Sequence, residues 1–504
     1  MKNNSPKNSN YELFKTHLAK VADIGFAGAV LGWDQQTLMP RNGAEFRGQQ
    51  MATLSTLGHE VFVDPKFGEL LERLSEDSTL SEDERINVTL TRKDYLRKKK
   101  YPHAFVEEYA KVTSGAFTQW HDARGKNQFN LFEPLLEKLV ELKRTEANFL
   151  GYEDHPYDAL IEDYEPGLTT KKIDEVFTEV KRDLFPFIKT ILGKTKIDAS
   201  CLHKLYPQDK QRKFAENAIR QMGYDFNSGR ADHAPHPFCT TFGPGDVRIT
   251  IRGEDHFFNP LLFAAIHEAG HGLYELGLPL KEQYGMPLGS AVSLAFHESQ
   301  SRFWENNIGR SENYWQANYS ALQAEFPENL KSVPRKDFYR AINLVEPSFI
   351  RVEADELTYH AHIYIRYLIE KALIEKQIQA ADIPAYWNDR YEEFLGIRPK
   401  DDAEGCLQDV HWSYGSFGYF PTYSFGSFYA AQLGQQMKKD LPSYDSLVSG
   451  GDLAPVLGWL REKVHVHGRK YNSSELLKRI TGEELQFKYF MDYAKAKFGA
   501  VYGI

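Results

Sequence analysis

Two histidines four residues apart with a glutamate directly after the first, His267-Glu268-Ala269-Gly270-His271, are the part of this 504-residue chain best suited to chemistry. On a helix, four residues advance about 400° and rise roughly 6 Å, so both imidazoles leave nearly the same face and can reach one ion. Glu268 comes along beside them. Its carboxylate can take the proton of a metal-bound water without being a ligand, which is the arrangement of metal-assisted peptide hydrolysis. With 17 His and 70 acidic residues in the chain, the pattern with any acid in second place arises by chance fewer than about 0.1 times. The bland alternative is a helix whose histidines are merely exposed or hydrogen-bonded.

A hydrolytic metal needs a third protein ligand and an open position. Glu298, 27 residues after His271, lies in Leu294-Ala295-Phe296-His297-Glu298-Ser299, far enough along for the chain to turn and come back past the first helix. His297 is its rival. Adjacent helical residues point about 100° apart, so only one of the two can face the ion, and spacing alone leaves the choice open.

The elements that must position these residues are mostly helices. Apolar residues recur at three- and four-residue spacing from Tyr11 to about Trp33, and similar patterns fill nearly all of the first 225 residues. Between Gly223 and Asn259 glycines and prolines break any helix, and Asp246-Val247-Arg248-Ile249-Thr250-Ile251 alternates as a short strand does. A small sheet beside the metal helix is expected. The metal helix should run from about Pro260 to Leu276, stopped by Gly277 and Pro279, and be followed by helices at about Ala291–Ile308, Ala354–Gln377 and Tyr423–Met437. The strands are too few for a doubly wound sheet, so the fold class is mainly α with a minor β element. No linker or repeat divides residues 1–504. The reading is a single domain, with about 1–225 as a helical cap and groove wall and about 226–504 as the catalytic part.

Composition bounds the alternatives. Hydrophobic residues at 42% and charged residues at 26% are those of an ordinary globular chain, and a net charge of -9 gives no electrostatic reason to expect nucleic acid or an anionic membrane as partner. Three scattered cysteines, Cys201, Cys239 and Cys406, suggest neither a disulfide framework nor a thiolate metal site. The opening Met1-Lys2-Asn3-Asn4-Ser5-Pro6 leads into a polar segment with no signal-peptide core, and no run of 18 apolar residues occurs. A cytoplasmic, membrane-free setting is expected.

Five ordered blocks carry a resemblance. They are Asp246-Val247-Arg248-Ile249-Thr250, His267 to His271, His297-Glu298-Ser299-Gln300, Ile350-Arg351-Val352-Glu353-Ala354-Asp355, and Gly405-Cys406-Leu407-Gln408-Asp409-Val410-His411-Trp412. In type and order they are similar to the motifs of the carboxypeptidase Taq family of metallocarboxypeptidases, and Leu31-Gly32-Trp33-Asp34 with Met39-Pro40 resembles that family's opening. The resemblance implies a metal held by His267, His271 and Glu298. It also implies an elongated helical body with a deep groove, related to the angiotensin-converting-enzyme and neurolysin architecture (the gluzincins), and a homodimer. Zinc is the first expectation for the metal, with cobalt or manganese as alternatives.

On this reading Glu268 is the base, and the substrates are peptides cut at the C-terminal bond with broad specificity. His411 and Tyr423 are the candidates to stabilise the tetrahedral oxygen, with Tyr419 competing for the role of Tyr423. Tyr423 follows a glycine- and aromatic-rich run, Tyr414 to Thr422, read as a loop able to swing a phenol toward the metal. A terminal carboxylate calls for an arginine fork. Arg351 is the first choice and Arg248 the second, although Arg351 could simply pair with Glu353 or Asp355, and Arg248 with Asp246. An endopeptidase with the same metal chemistry and a non-catalytic peptide-binding scaffold are the competing functions.

Overall fold

Leu261, Leu262, Phe263, Ala265, Ile266, Ala269, Leu273 and Tyr274 are all buried on one helix, Asn259–Gly277, with Pro260 in its first turn. Such a helix has to lie in the middle of the protein. Among the residues that keep partial access, Ala264, His267, His271 and Glu275 form one stripe along the helix. The computed structural model describes residues 9–504, and the polar opening Met1–Pro6 lies outside them.

Helices make up most of the chain on either side. The N-terminal helices Ser9–Thr37, Ala44–Phe62, Pro65–Ser75 and Glu82–Lys99 share a small core of their own, built from Tyr11, Phe14, Leu18, Phe67, Leu71 and Met286 among others. Local signals start them. Asp64 accepts from the Lys66 N–H, and Ser81 with Glu84 closes a capping box. The main core runs from Ala116 to Val501 and contains residues from both sides of position 225, including Leu139, Ile173, Ile219, Ile266, Trp304, Ile363 and Phe425.

The three strands are β1 (Ala231–His233), β2 (Cys239–Thr241) and β3 (Val247–Ile251). β3 is central, parallel to β1 and antiparallel to β2, so β2 forms an edge, with Thr241 opposite Val247. Tyr224 and Ile249 crowd the metal helix at Gly272, where a Cβ would lie 2.8 Å from the tyrosine ring and 3.6 Å from Ile249. The small sheet therefore stands beside the metal helix, as the alternation of residues 246–251 predicts.

Three expected elements are corrected. The helix expected over Ala291–Ile308 starts at Leu294, because the Ser293 hydroxyl accepts from the Phe296 N–H at 3.0 Å, and it widens into π-helical turns over Phe303–Gly309. The helix expected from Ala354 begins at Tyr359. Asp355 instead receives hydrogen bonds from the Leu357 and Thr358 N–H groups and the Thr358 hydroxyl, which holds the preceding segment in a turn. The helix expected from about Tyr423 begins two residues earlier, at Pro421, which places Tyr423 in the first turn of Pro421–Asp440. The short helix Ser473–Thr481, started by a capping box of Asn472 and Glu475, is absent from the sequence reading.

Candidate active site

The ligand helix Leu294–Arg302 meets the metal helix backbone to backbone. A Cβ on Gly270 would lie 2.6 Å from Ser301 Cα and 2.8 Å from the Gln300 carbonyl oxygen. On its other side, a Cβ on Gly426 of helix Pro421–Asp440 would lie 2.6 Å from Glu298 Cβ and Cγ. The helix that carries Glu298 is thus packed against two glycines that permit this approach.

The result is a convergent donor set. Glu298 Oε2 lies 3.6 Å from His267 Nε2 and 3.4 Å from His271 Nε2. Ligand atoms bound at ~2.1 Å in a tetrahedron are about 3.4 Å apart, so two imidazole nitrogens and a carboxylate oxygen at this spacing fit a zinc-type ion. All three potential ligand atoms fall within 4.8 Å of one another. The second glutamate oxygen is occupied: Arg302 Nε donates to Oε1 at 2.6 Å. Burial opposes ionisation of Glu298, but Arg302 and the two histidines outweigh it and hold its pKa well below the usual carboxylate range.

The remaining nitrogens of the histidines are oriented. His267 Nδ1 lies 2.9 Å from Glu305 Oε2, and Glu305 is also gripped by Arg302 and Arg310. Burial would raise the Glu305 pKa, yet His267 and the two arginines bring it to about 2. The wide turns after Arg302 put Glu305 in that position. Burial lowers His271 to about 4 against the pull of Glu298, which leaves a neutral imidazole of the kind a metal requires. Glu268 is buried next to the histidines. Its burial, reinforced by Glu298 and opposed by His267, raises its pKa to about 7, a value suited to a general base. His297, the rival ligand, faces elsewhere: its Nε2 is 2.8 Å from Glu275 Oε1 and its Nδ1 meets Nδ1 of His271.

The other expected residues gather in two places. His411 Nε2 is 3.1 Å from the Tyr423 hydroxyl, and Tyr419 packs edge-on against Tyr423 with ring centroids 5.2 Å apart. Burial raises the Tyr423 pKa well above normal, so the phenol keeps its proton. Burial, with Arg351 and Arg366, lowers His411 to about 3 despite Asp409. Arg351 is buried and its partner is neither Glu353 nor Asp355. Its Nε and Nη2 bind Asp409 Oδ1 at 2.9 and 2.8 Å, its Nη1 donates to the Tyr359 hydroxyl, and it lies 5.0 Å from the Tyr423 ring. Arg366 takes the other oxygen of Asp409. Arg248, on β3, is paired through two bonds of 2.8 Å to Asp246 and lies over the Phe242 and Trp33 rings, with 27% of its side chain exposed.

Sequence reasoning missed Arg302, Glu305, Glu275, Tyr359 and Glu370. Two of these carried a signal: Arg302 is four residues after Glu298 and Glu275 four after His271, each on the same helical face as its neighbour. Glu370 is fully buried and accepts from the Tyr157 hydroxyl, the Trp412 indole and the Gly418 N–H, which ties down the segment between His411 and Tyr423.

Residues 13–498 match the sequence model of the carboxypeptidase Taq (M32) metallopeptidases. The chain belongs to that family. It is 42% identical over 487 residues to carboxypeptidase 1 of Bacillus subtilis (strain 168), covering 96% of this chain and 97% of that protein. It is 40% identical over 497 residues to thermostable carboxypeptidase 1 of Thermus thermophilus, with 96% and 97% covered. The crystal structure of an M32 carboxypeptidase from Deinococcus radiodurans R1 superposes with a TM-score of 0.96 at 35% identity, covering 99% of this chain and 100% of that one. The chain is accordingly a metal-dependent carboxypeptidase, a hydrolase of peptides. No helix among the described residues is long and apolar enough to cross a membrane.

Proposed function

We propose that this M32 carboxypeptidase removes C-terminal residues of broad type from peptides, with Glu268 as base and Arg351, Arg248 or both holding the terminal carboxylate. The observation that carries the reading is the convergence of His267 Nε2 and His271 Nε2 on Glu298 Oε2 beside a buried glutamate that is not needed as a ligand. A divalent ion held by these three residues supplies the Lewis acid that acidifies water and polarises a carbonyl. Two nitrogens and one oxygen favour zinc, while cobalt and manganese suit the same donors.

Glu268 takes a proton from the attacking water and returns it to the leaving amine. Tyr423, kept protonated by burial and joined to His411, donates a hydrogen bond to the oxygen that gains charge at the tetrahedral stage. Arg351 is beside Tyr423, and its use by a substrate requires the incoming carboxylate to share it with Asp409. Arg248 is the more accessible fork, with Asp246 as the group to displace. Membership of the M32 family supports an elongated, gluzincin-like helical body, and the lack of a dividing linker or repeat supports a single catalytic domain with residues before about 225 forming cap and groove wall. Family membership supports a homodimer in the same way, while the three scattered cysteines support a cytoplasmic address.

The deciding experiment compares free-acid and C-terminally amidated forms of one peptide on the wild type, Arg351→Met and Arg248→Met. The wild type should turn over the free acid alone. The variant lacking the true clamp should show a raised KM for the acid and little remaining preference. Equal turnover of acid and amide by the wild type would sink the carboxylate-clamp reading.

A further inference from the structure

The two metal-facing histidines are held by different chemistry. Nδ1 of His267 meets a carboxylate, Glu305, the usual outer partner of a metal histidine. Nδ1 of His271 meets another imidazole, Nδ1 of His297, at 2.5 Å. The contacts continue. His297 Nε2 is 2.8 Å from Glu275 Oε1, and the other oxygen of Glu275 accepts from the Thr241 hydroxyl at 2.8 Å. Thr241 is on β2, the sheet edge, so one chain of hydrogen bonds runs from the metal helix to the ligand helix, back to the metal helix at Glu275 and on to the strand.

Proton placement in this chain has one solution compatible with a metal. Ionised Glu275 only accepts, so His297 must carry its proton on Nε2. With its proton on Nε2, His297 offers a lone pair at Nδ1. His271 must donate from Nδ1, which leaves its Nε2 lone pair directed at Glu298 and the ion. Were Nδ1 of His297 to carry a proton instead, His271 would accept at Nδ1, and its own proton would sit on Nε2, where the metal must bind.

We propose that His297, Glu275 and Thr241 are positioning residues that fix the metal-binding tautomer and ring orientation of His271. This rests on the reading of His267, His271 and Glu298 as the metal centre. It also gives His297 a use that adjacency to Glu298 does not reveal: the residue supports the ligand on the neighbouring helix.

The test is metal affinity, measured by competition with a chromophoric chelator, together with the visible spectrum of the cobalt-loaded protein. His297→Ala and Glu275→Gln should each raise the metal Kd about 10- to 100-fold and shift the cobalt bands. Thr241→Val should do so less. His297→Asn, whose carbonyl can accept from His271 Nδ1, should recover part of the affinity lost in His297→Ala. If His297→Ala does not fold, Glu275→Gln reads the same quantity. Wild-type affinity and spectrum in both variants would overturn the proposal. So would a loss in His297→Ala as complete as that in His271→Ala, because His297 would then be a ligand. Glu298→Ala and His271→Ala are the controls: if these also bind metal normally, the metal-centre reading itself has failed.

Discussion

Gly270 and Ser301 stand so close that a Cβ on the glycine would come within 2.6 Å of the serine Cα. This contact sets the distance between the helix carrying both histidines and the helix carrying Glu298. Gly270→Ala should therefore push the helices apart, at a cost of about 1 to 3 kcal/mol from overpacking. A lowered unfolding midpoint and weaker metal binding are expected together. Gly28→Ala is the contrast. It lies inside the helix Ser9–Thr37 with nothing within 4 Å of its Cβ position, and the better helix propensity of alanine should leave the midpoint unchanged or raised. Equal behaviour of the two variants would refute this account of Gly270.

Glu268→Gln keeps the shape of the side chain and removes the base. Because Glu268 is not part of the three-atom donor set, metal content should stay at one ion per chain. The rate constant kcat should fall by about 10²- to 10⁴-fold with KM little changed. Metal analysis and steady-state kinetics on the same sample check both halves. A variant that retains turnover would remove Glu268 from the mechanism.

Glu370 predicts a pH dependence of stability. Burial raises its folded pKa from 4.5 to about 7, against the hydrogen bonds from Tyr157, Gly418 and Trp412. The folded state then holds this proton more tightly than the unfolded state. The group contributes most below its unfolded pKa, and its contribution falls as pH rises toward 7, by about 3 kcal/mol over that window. Glu370→Gln has no such titration. Calorimetry of the metal-free proteins at pH 5 and pH 8 should show the wild type losing more stability with rising pH than the variant. An offset that is the same at both pH values would contradict the assignment.

How much of this was legible beforehand follows from the range of each interaction. That His267, Glu268 and His271 lie together on one helix was readable because helical geometry relates residues four apart without reference to anything else in the chain. The mainly helical class, the strand over residues 247–251 and the five motif blocks are local in the same sense. The start of the helix at Tyr359 was misread, because the Asp355 side chain competes with the helix for backbone N–H groups, and apolar periodicity does not register that competition.

Between Glu298 and His297, spacing was undecided and the motif resemblance implied Glu298, and the physical reason lies in the tertiary structure. Two neighbouring residues present opposite options, and the rotation of their helix is set by Gly270 on one side and Gly426 on the other. The partner of Arg351 was decided in the same way: Asp409 is 58 residues away in sequence, and it displaced the nearer acids Glu353 and Asp355. Spacing along one helix determined that a metal could be bound. Long-range packing decided which carboxylate joins the histidines, which residues orient them and which charges are paired, because each of those depends on the relative placement of helices that no local pattern encodes.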